Sequence, residues 1–285
     1  MAQCMLFSLN SAASESMFSD ARIYENMSRL VKFLGYNPKG IVPSTATFLI
    51  SNDDGQFNGK TIPKYAYVDM NTTDKNGNKI CFSNAKTFTM ENNPSYEFTA
   101  VNGKWKKYGE VFTATGDEFE TFDLDGIGSD LKSDDGNMHV ASNMIDVFVQ
   151  HYDPLSKTYQ LTQWERSEFE IFADNSTNVL NFAKIYNGDR KIFSVRLKED
   201  KTYQIKFGDG AVGSRLGKND KIIVFYLETN GVDGQLQIDD VDQSNLKLTI
   251  PRADSYNLTD SSYMVVVGIP ADEAESYDQK IDVRI

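Results

Sequence analysis

The stretch from Tyr203 to Gly231 constrains the fold of this chain more than any other. Tyr203, Ile205 and Phe207 alternate with Gln204 and Lys206, the period of a strand with one buried face. Ile222 to Leu227 is an unbroken β-branched and aromatic run, which predicts a buried strand. Between the two lies Gly208-x-Gly210-x-x-Gly213, the spacing of a dinucleotide fingerprint. Such a fingerprint works where the loop opens into a helix, because the free N-terminal amides and the helix dipole hold the pyrophosphate. Here Gly217, Asn219 and Asp220 disfavour a helix, and a strand begins at Ile222. A kinase-type phosphate loop has the right strand-loop-strand order, but the strand Ile222 to Leu227 carries no lysine, and neither His-Arg-Asp nor Asp-Phe-Gly follows. The glycines are therefore read as supplying positive φ and close backbone approach in a wide turn. No nucleotide or other cofactor is expected.

The rest of the chain reads as a helical start and a long β-rich body. Met1 to Ala13 looks like the tail of a helix. A second helix is expected after Ser19 or Asp20, either of which offers an N-cap oxygen, with Ile23, Met27, Leu30, Val31 and Leu34 at helical spacing. Gly35 ends it and Pro38 lies just beyond. From Thr45 the pattern turns to short strands: 45–51, 65–70, 79–82, 85–90, 97–101, 108–115, 118–123, 140–151, 159–162, 192–197 and the central pair. Turn signals separate them at Asp54-Gly55, Asn76-Gly77, Asn93-Pro94, Asp135-Gly136 and Asn230-Gly231. Residues 167–182 are ambiguous and accommodate a short helix. The expected class is α+β but mostly β: a helical arm over 1–44, then a body over 45–260 built of antiparallel, sandwich-like or barrel-like β modules. A split of the body into two subdomains is placed near 125–165, and 261–285 reads as the start of a following region.

Charge and motif content narrow the function. The chain holds 41 acidic and 29 basic residues, for a net charge of −12, so its long-range field repels nucleic acid and anionic membranes. Gly103-Lys-Trp-Lys-Lys-Tyr-Gly109 is the local exception, and it also suits a strand with lysines outward and aromatics inward. No window approaches the run of about 18 apolar residues that a membrane helix needs. Neither a nucleic-acid nor a membrane partner is expected. Cys4 and Cys81 are too few and too distant for a disulfide framework or a metal site. Asp123-Leu-Asp125-Gly-Ile-Gly-Ser-Asp130 resembles a calcium loop, but Ile127 stands at the fifth position, where an oxygen ligand belongs. His139 and His151 have no cysteine nearby, and no serine or cysteine is tied to either in a nucleophile motif. The expectation is no metal and no enzymatic activity.

An ordered set of segments resembles one family. Glu15 to Tyr24, Leu34 to Pro38 with Ser44 to Ala46, Thr61 to Pro63, Asn102 to Tyr108, Phe207 to Gly213, Tyr226 to Gly231 and the acidic stretch within Gly268 to Ser276 are similar, in order and spacing, to the baseplate wedge subunit of contractile-tailed bacteriophages, in the baseplate J-like group. The resemblance implies a structural virion protein of the tail baseplate, assembled in the host cytoplasm. It would form a homodimer and contact ring neighbours and other wedge proteins, in a ring that rearranges when the sheath contracts. Carried onto this chain, it makes Met17, Phe18, Ile23, Met27, Leu30, Val31 and Leu34 interface residues of a helical bundle, and Gly208, Asp209, Gly210 and Gly213 a structural turn. Members of the family usually carry a longer helical region before the part matching Met1 and a sizeable domain after the part matching Ile285. The resemblance therefore implies a fragment, or the ordered part of a longer product. Two alternatives stand beside it: a β-sandwich adhesin or receptor-binding module using aromatic and acidic loops, and a carboxylate-dependent hydrolase, whose acid pair is recognised by distance in the fold.

Overall fold

The structure, a computed structural model, describes residues 41–51, 58–90, 95–109, 111–128, 131–133, 136–153, 155, 157–167, 188–198, 202–236, 241, 246–250, 276–277 and 281–284. The helical arm expected over 1–44 lies outside them except for its last four residues, and the ambiguous stretch 167–182 lies outside except for Ser167. The described residues form strands joined by turns, with one 3-10 turn at Gly231–Gly234. The first strands are β1 (Thr45–Ser51), β2 (Thr61–Ile62), β3 (Tyr67–Thr73), β4 (Lys79–Asn84), β5 (Phe88–Thr89) and β6 (Ser95–Asn102). Next come β7 (Lys104–Lys107), β8 (Phe112–Thr113), β9 (Thr121–Gly128), β10 (Leu131–Ser133), β11 (Gly136–Asp153) and β12 (Thr158–Arg166). The last are β13 (Ile192–Leu197), β14 (Thr202–Phe207), β15 (Lys221–Thr229), β16 (Leu248–Thr249), β17 (Ser276–Tyr277) and β18 (Ile281–Arg284).

Two sheets hold most of these strands. One has seven strands in the order β17-β16-β3-β4-β6-β1-β18, and its buried face is set by plain alternation: Ala46, Phe48 and Ile50 on β1 turn inward, between half-exposed neighbours. Phe48 stands directly opposite Phe98 on β6, and their rings stack at 5.5 Å, the cross-strand aromatic contact that stabilises a sheet. The last strand, β18, pairs with β1, and β17 pairs with β16, so parts of 261–285 return to this sheet.

The second sheet has nine strands, with the order β7-β15-β11-β12-β13-β14-β9 and with β8 and β10 pairing β15 and β11. It curls into a half-barrel around one core, in which Leu124, Val147, Val149, Trp164, Phe193, Tyr203, Ile205, Phe207, Ile222 and Val224 face inward. Tyr203 closes the curl by donating from its hydroxyl to the Val140 carbonyl across the core, at 3.1 Å. Among the described residues every ladder is antiparallel except β12 with β13. The chain passes from the first sheet to the second at Gly103, between β6 and β7, and returns to the first after β15. Gly103 sits at φ +131 with its Cα against β15; a Cβ there would come within 2.4 Å of the Glu228 carbonyl oxygen.

The strand expected over 108–115 is reduced to β8, Phe112–Thr113, and β7 ends just before the expected span, at Lys107. β7 and β8 both pair with β15, but the six residues from Lys107 to Phe112 oppose only four of β15, from Phe225 to Ile222. The surplus leaves the ladder around Gly109. β11 also outruns its expected span of 140–151, at both ends.

Candidate functional site

β15 is the element on which both halves of the molecule meet. Its even-numbered side chains Ile222, Val224 and Tyr226 enter the half-barrel core, and its odd-numbered Ile223, Phe225 and Leu227 enter a separate cluster with Phe148, Trp105, Val101 and Tyr65. A strand buried on both faces has no solvated side to mark with polar residues, which is why its sequence reads as a continuous apolar run. Tyr65 and Val101 come from the seven-stranded side, so this second cluster joins the sheets. Tyr65 meets the Trp105 ring edge-on at 5.4 Å and the Phe225 ring at 5.1 Å.

Two polar nodes flank that cluster. In the first, Lys64 donates to both oxygens of the buried Asp146 carboxylate at 2.9 and 2.8 Å, and the Tyr65 hydroxyl donates to the same group at 3.1 Å. The Lys64 ammonium also lies 4.4 Å above the Trp105 ring. The pair thus ties the connector before β3 to β11. In the second node, the Asn102 side-chain oxygen accepts from the Thr229 hydroxyl at 2.7 Å and from the Asn230 amide at 3.1 Å. The Asn230 side chain donates to Asp74 at 2.9 Å, and Asn78 donates to the same Asp74 oxygen at 2.9 Å. The other Asp74 oxygen accepts the backbone amides of Asn76 and Asn78 at 2.8 and 2.9 Å. Burial works against the ionised Asp74 carboxyl, but these hydrogen bonds outweigh it and hold the group below its ordinary value of 3.8. Sequence reading took Asn76-Gly77 as a turn and missed this node. The short spacing Asp74-x-Asn76-x-Asn78 was the available signal.

The expected turn residues lie in the connection between β14 and β15. Gly210 has φ +96 and Gly213 φ +75, the left-handed region that favours glycine. Gly208 answers a different demand, because a Cβ there would meet the Val212 and Gly213 carbonyl oxygens at 2.2 and 2.4 Å. The Asp209 carboxylate accepts the amides of Ala211 and Val212 at 2.9 and 2.7 Å, and the Gly210 amide donates to the Gly213 carbonyl at 3.0 Å. Amides that would cradle a phosphate are thus bonded within the loop. Further along, the buried Asp220 accepts the Gly217 amide at 2.8 Å and stands 2.6 Å from Nδ1 of His151, fixing the end of the loop to β11. The seven helical interface residues from Met17 to Leu34 lie outside the described residues.

The remaining sequence candidates fall as follows. Trp105 is buried, while Lys104 lies over the Tyr67 ring and Lys106 pairs with Glu228, so the lysine-aromatic patch is an edge strand with Lys104 and Lys106 outward and Lys107 half-buried. Asp123 and Asp125 are exposed on β9, where Gly126 at φ +75 accompanies a register shift, and Asp123 is held by Lys198 and Gln204. Among the described residues no three His, Cys, Asp or Glu side chains gather as a metal site requires. Cys81 is buried, and burial pushes its thiol up to about 11, far from a reactive thiolate. Among the described residues, two large sheets and the small β2–β5 pair define a predominantly antiparallel β protein organised on β15. No protein-family model matches the chain, and no curated protein is similar to it.

Proposed function

We propose that this chain is a non-enzymatic structural subunit of a contractile-tail baseplate wedge, resident in the virion tail and assembled in the host cytoplasm. In this reading a helical arm over 1–44 presents Met17, Phe18, Ile23, Met27, Leu30, Val31 and Leu34 to a bundle with other wedge proteins. The β body carries load between that arm and the homodimer and ring neighbours. The observation that carries the reading is the convergence of three of the segments on which the family resemblance rests. Asn102 to Lys107 and Tyr226 to Asn230 are paired or hydrogen-bonded neighbours at the sheet junction, although Asn102 and Asn230 lie 128 residues apart. Thr61 to Pro63 leads straight into Lys64 and Tyr65, which lock onto Asp146 and Trp105. Residues that share one structural task are what a resemblance of fold selects, and here they bind two sheets into one body. The bonded glycine loop supports the same reading, since its amides serve the connection between strands.

The test is co-purification of the complete reading-frame product with its neighbouring wedge proteins. A stable complex is expected, and Leu30→Asp should weaken it while leaving the β body folded. Failure of the full-length chain to bind any wedge partner contradicts the proposal. A second reading, as an adhesin, is favoured by the β11–β12 connection, where Tyr152 and Tyr159 pair at 5.1 Å and, with Leu155, are exposed. Glycan-array binding by the chain, lost on Tyr152→Ala, would support that alternative.

A further inference from the structure

We propose that the open edge of β12 is where a second copy of this chain adds, strand to strand, joining two half-barrel sheets across a twofold axis. β11 pairs with one edge of β12 from Thr158 to Trp164, but β13 takes the other edge only at Glu165 and Arg166. Among the described residues no strand pairs with that other edge between Thr158 and Trp164. The amides of Glu165 and Ser167 donate to the Lys191 and Phe193 carbonyls, on the β13 side. Backbone groups alternate between the two edges along a strand, so those of Tyr159, Leu161 and Gln163 point to the open edge as well. They form a row of donors and acceptors ready to template another strand.

The chemistry of this edge sets it apart. Soluble proteins blunt open edges with charge, proline or bulges. The two strands that end the half-barrel sheet are blunted so: β7 carries Lys104, Lys106 and Lys107, and β9 carries exposed Asp123 and Asp125 with a register shift and Gly126 at positive φ. Thr158-Tyr-Gln-Leu-Thr-Gln-Trp164 has no charge, no proline and an unbroken register with β11. It is also complementary to itself. Antiparallel pairing centred on Leu161 sets Tyr159 opposite Gln163 and Gln160 opposite Thr162, with about six backbone hydrogen bonds and no like charges opposed. The same operation centred on Asp123 of β9 would oppose two carboxylates, a costly contact for a chain of net charge −12. In the β12 register Lys157 of one copy approaches Glu165 of the other, opposite charges at the point where β13 takes over the edge. Tyr152 and Tyr159, 46% and 59% exposed, form a ring pair on one face beside this seam, where the added strand would cover part of it. The contact gives a surface to the homodimer of the wedge reading, on which the expectation of two copies rests.

The experiment uses the full chain, with light scattering over a range of concentrations and hydrogen exchange on the same samples. The expected result is a species of twice the chain mass of 32.1 kDa, with protection of the Tyr159, Leu161 and Gln163 amides rising as the dimer fills. Gln163→Pro removes an outward N–H that the β11 ladder does not use, and Tyr159→Lys places a charge on the exposed edge. Each should weaken the dimer about tenfold or more while the monomer keeps its melting temperature, whereas Asp125→Ala on β9 should leave the dimer intact. A chain that stays monomeric at every concentration overturns the proposal. So does a dimer that survives both β12 substitutions, or protection of the three amides that does not depend on concentration, since the edge is then covered within one chain. A monomer that still binds wedge proteins overturns this contact alone. A β12 dimer that binds none of them supports the contact and contradicts the wedge reading.

Discussion

Gly208 and Gly210 sit two residues apart in one loop and are glycine for different reasons, which sets opposite expectations for their substitution. At Gly210 a Cβ would find its nearest neighbour, the Arg215 Cβ, at 3.9 Å, and the cost of Gly210→Ala is the left-handed φ alone, about 1 kcal/mol. At Gly208 the φ is ordinary but the added carbon collides with two backbone oxygens, so Gly208→Ala should cost about 2–3 kcal/mol as the loop shifts. Urea midpoints of the two variants check the ranking; an equal loss at both positions would contradict it. Gly210→Val should cost more than Gly210→Ala, since a β-branched side chain resists positive φ. Asp74 contributes to the acid limit. Its folded-state carboxyl titrates below the unfolded value of 3.8, so its stabilisation is complete above that value and is lost as pH falls through the folded one. Stability should therefore drop below about pH 4, and Asp74→Asn should flatten part of that slope in pH-resolved denaturant titrations.

Strands with one solvated face were legible in the sequence, because alternation is a direct record of which side is wet. β1 matches its expected span and β14 begins only one residue earlier; β13 also matches, though its first three residues are all buried. β15 was legible for the complementary reason, as a run with no polar face. What escaped were features fixed by partners. The break between β7 and β8 arises from unequal spacing along β15, and nothing in residues 108–111 except Gly109 announces it. The return of β18 to the first sheet depends on pairing across more than 200 residues, as between Thr47 and Arg284, and β17 joins it only through β16. The polar node was missed because Asn78 and Asn230 look like ordinary turn residues until they meet at Asp74. At this scale the Lys64–Asp146 pair makes a sharp prediction. Lys64→Met strands a buried carboxylate and should cost about 2–3 kcal/mol, discounted for the partial exposure of Lys64. The double variant Lys64→Met with Asp146→Leu should recover most of that loss in a double-mutant cycle. A double variant as unstable as the two single losses combined would contradict it.

The molecule as a whole is coupled through β15. One strand completes the half-barrel core and the cluster that joins the sheets, while the seven-stranded sheet has its own core around Phe48; opening either sheet strips the joining cluster, so the described body should unfold in one transition. Phe225→Ala, at the centre of the joining cluster, should cost about 3–5 kcal/mol and lower protection from hydrogen exchange in both sheets together. Loss confined to the half-barrel would show that the sheets are separate units. A body built this way transmits displacement from one sheet to the other, a property suited to a subunit that must move as one piece within an assembly. The most direct test of that role is the mass of the complete product by light scattering, alone and after mixing with its neighbouring wedge proteins. The account predicts a homo-oligomer that passes into a larger, stable complex. A chain that stays monomeric and elutes apart from every wedge protein contradicts it.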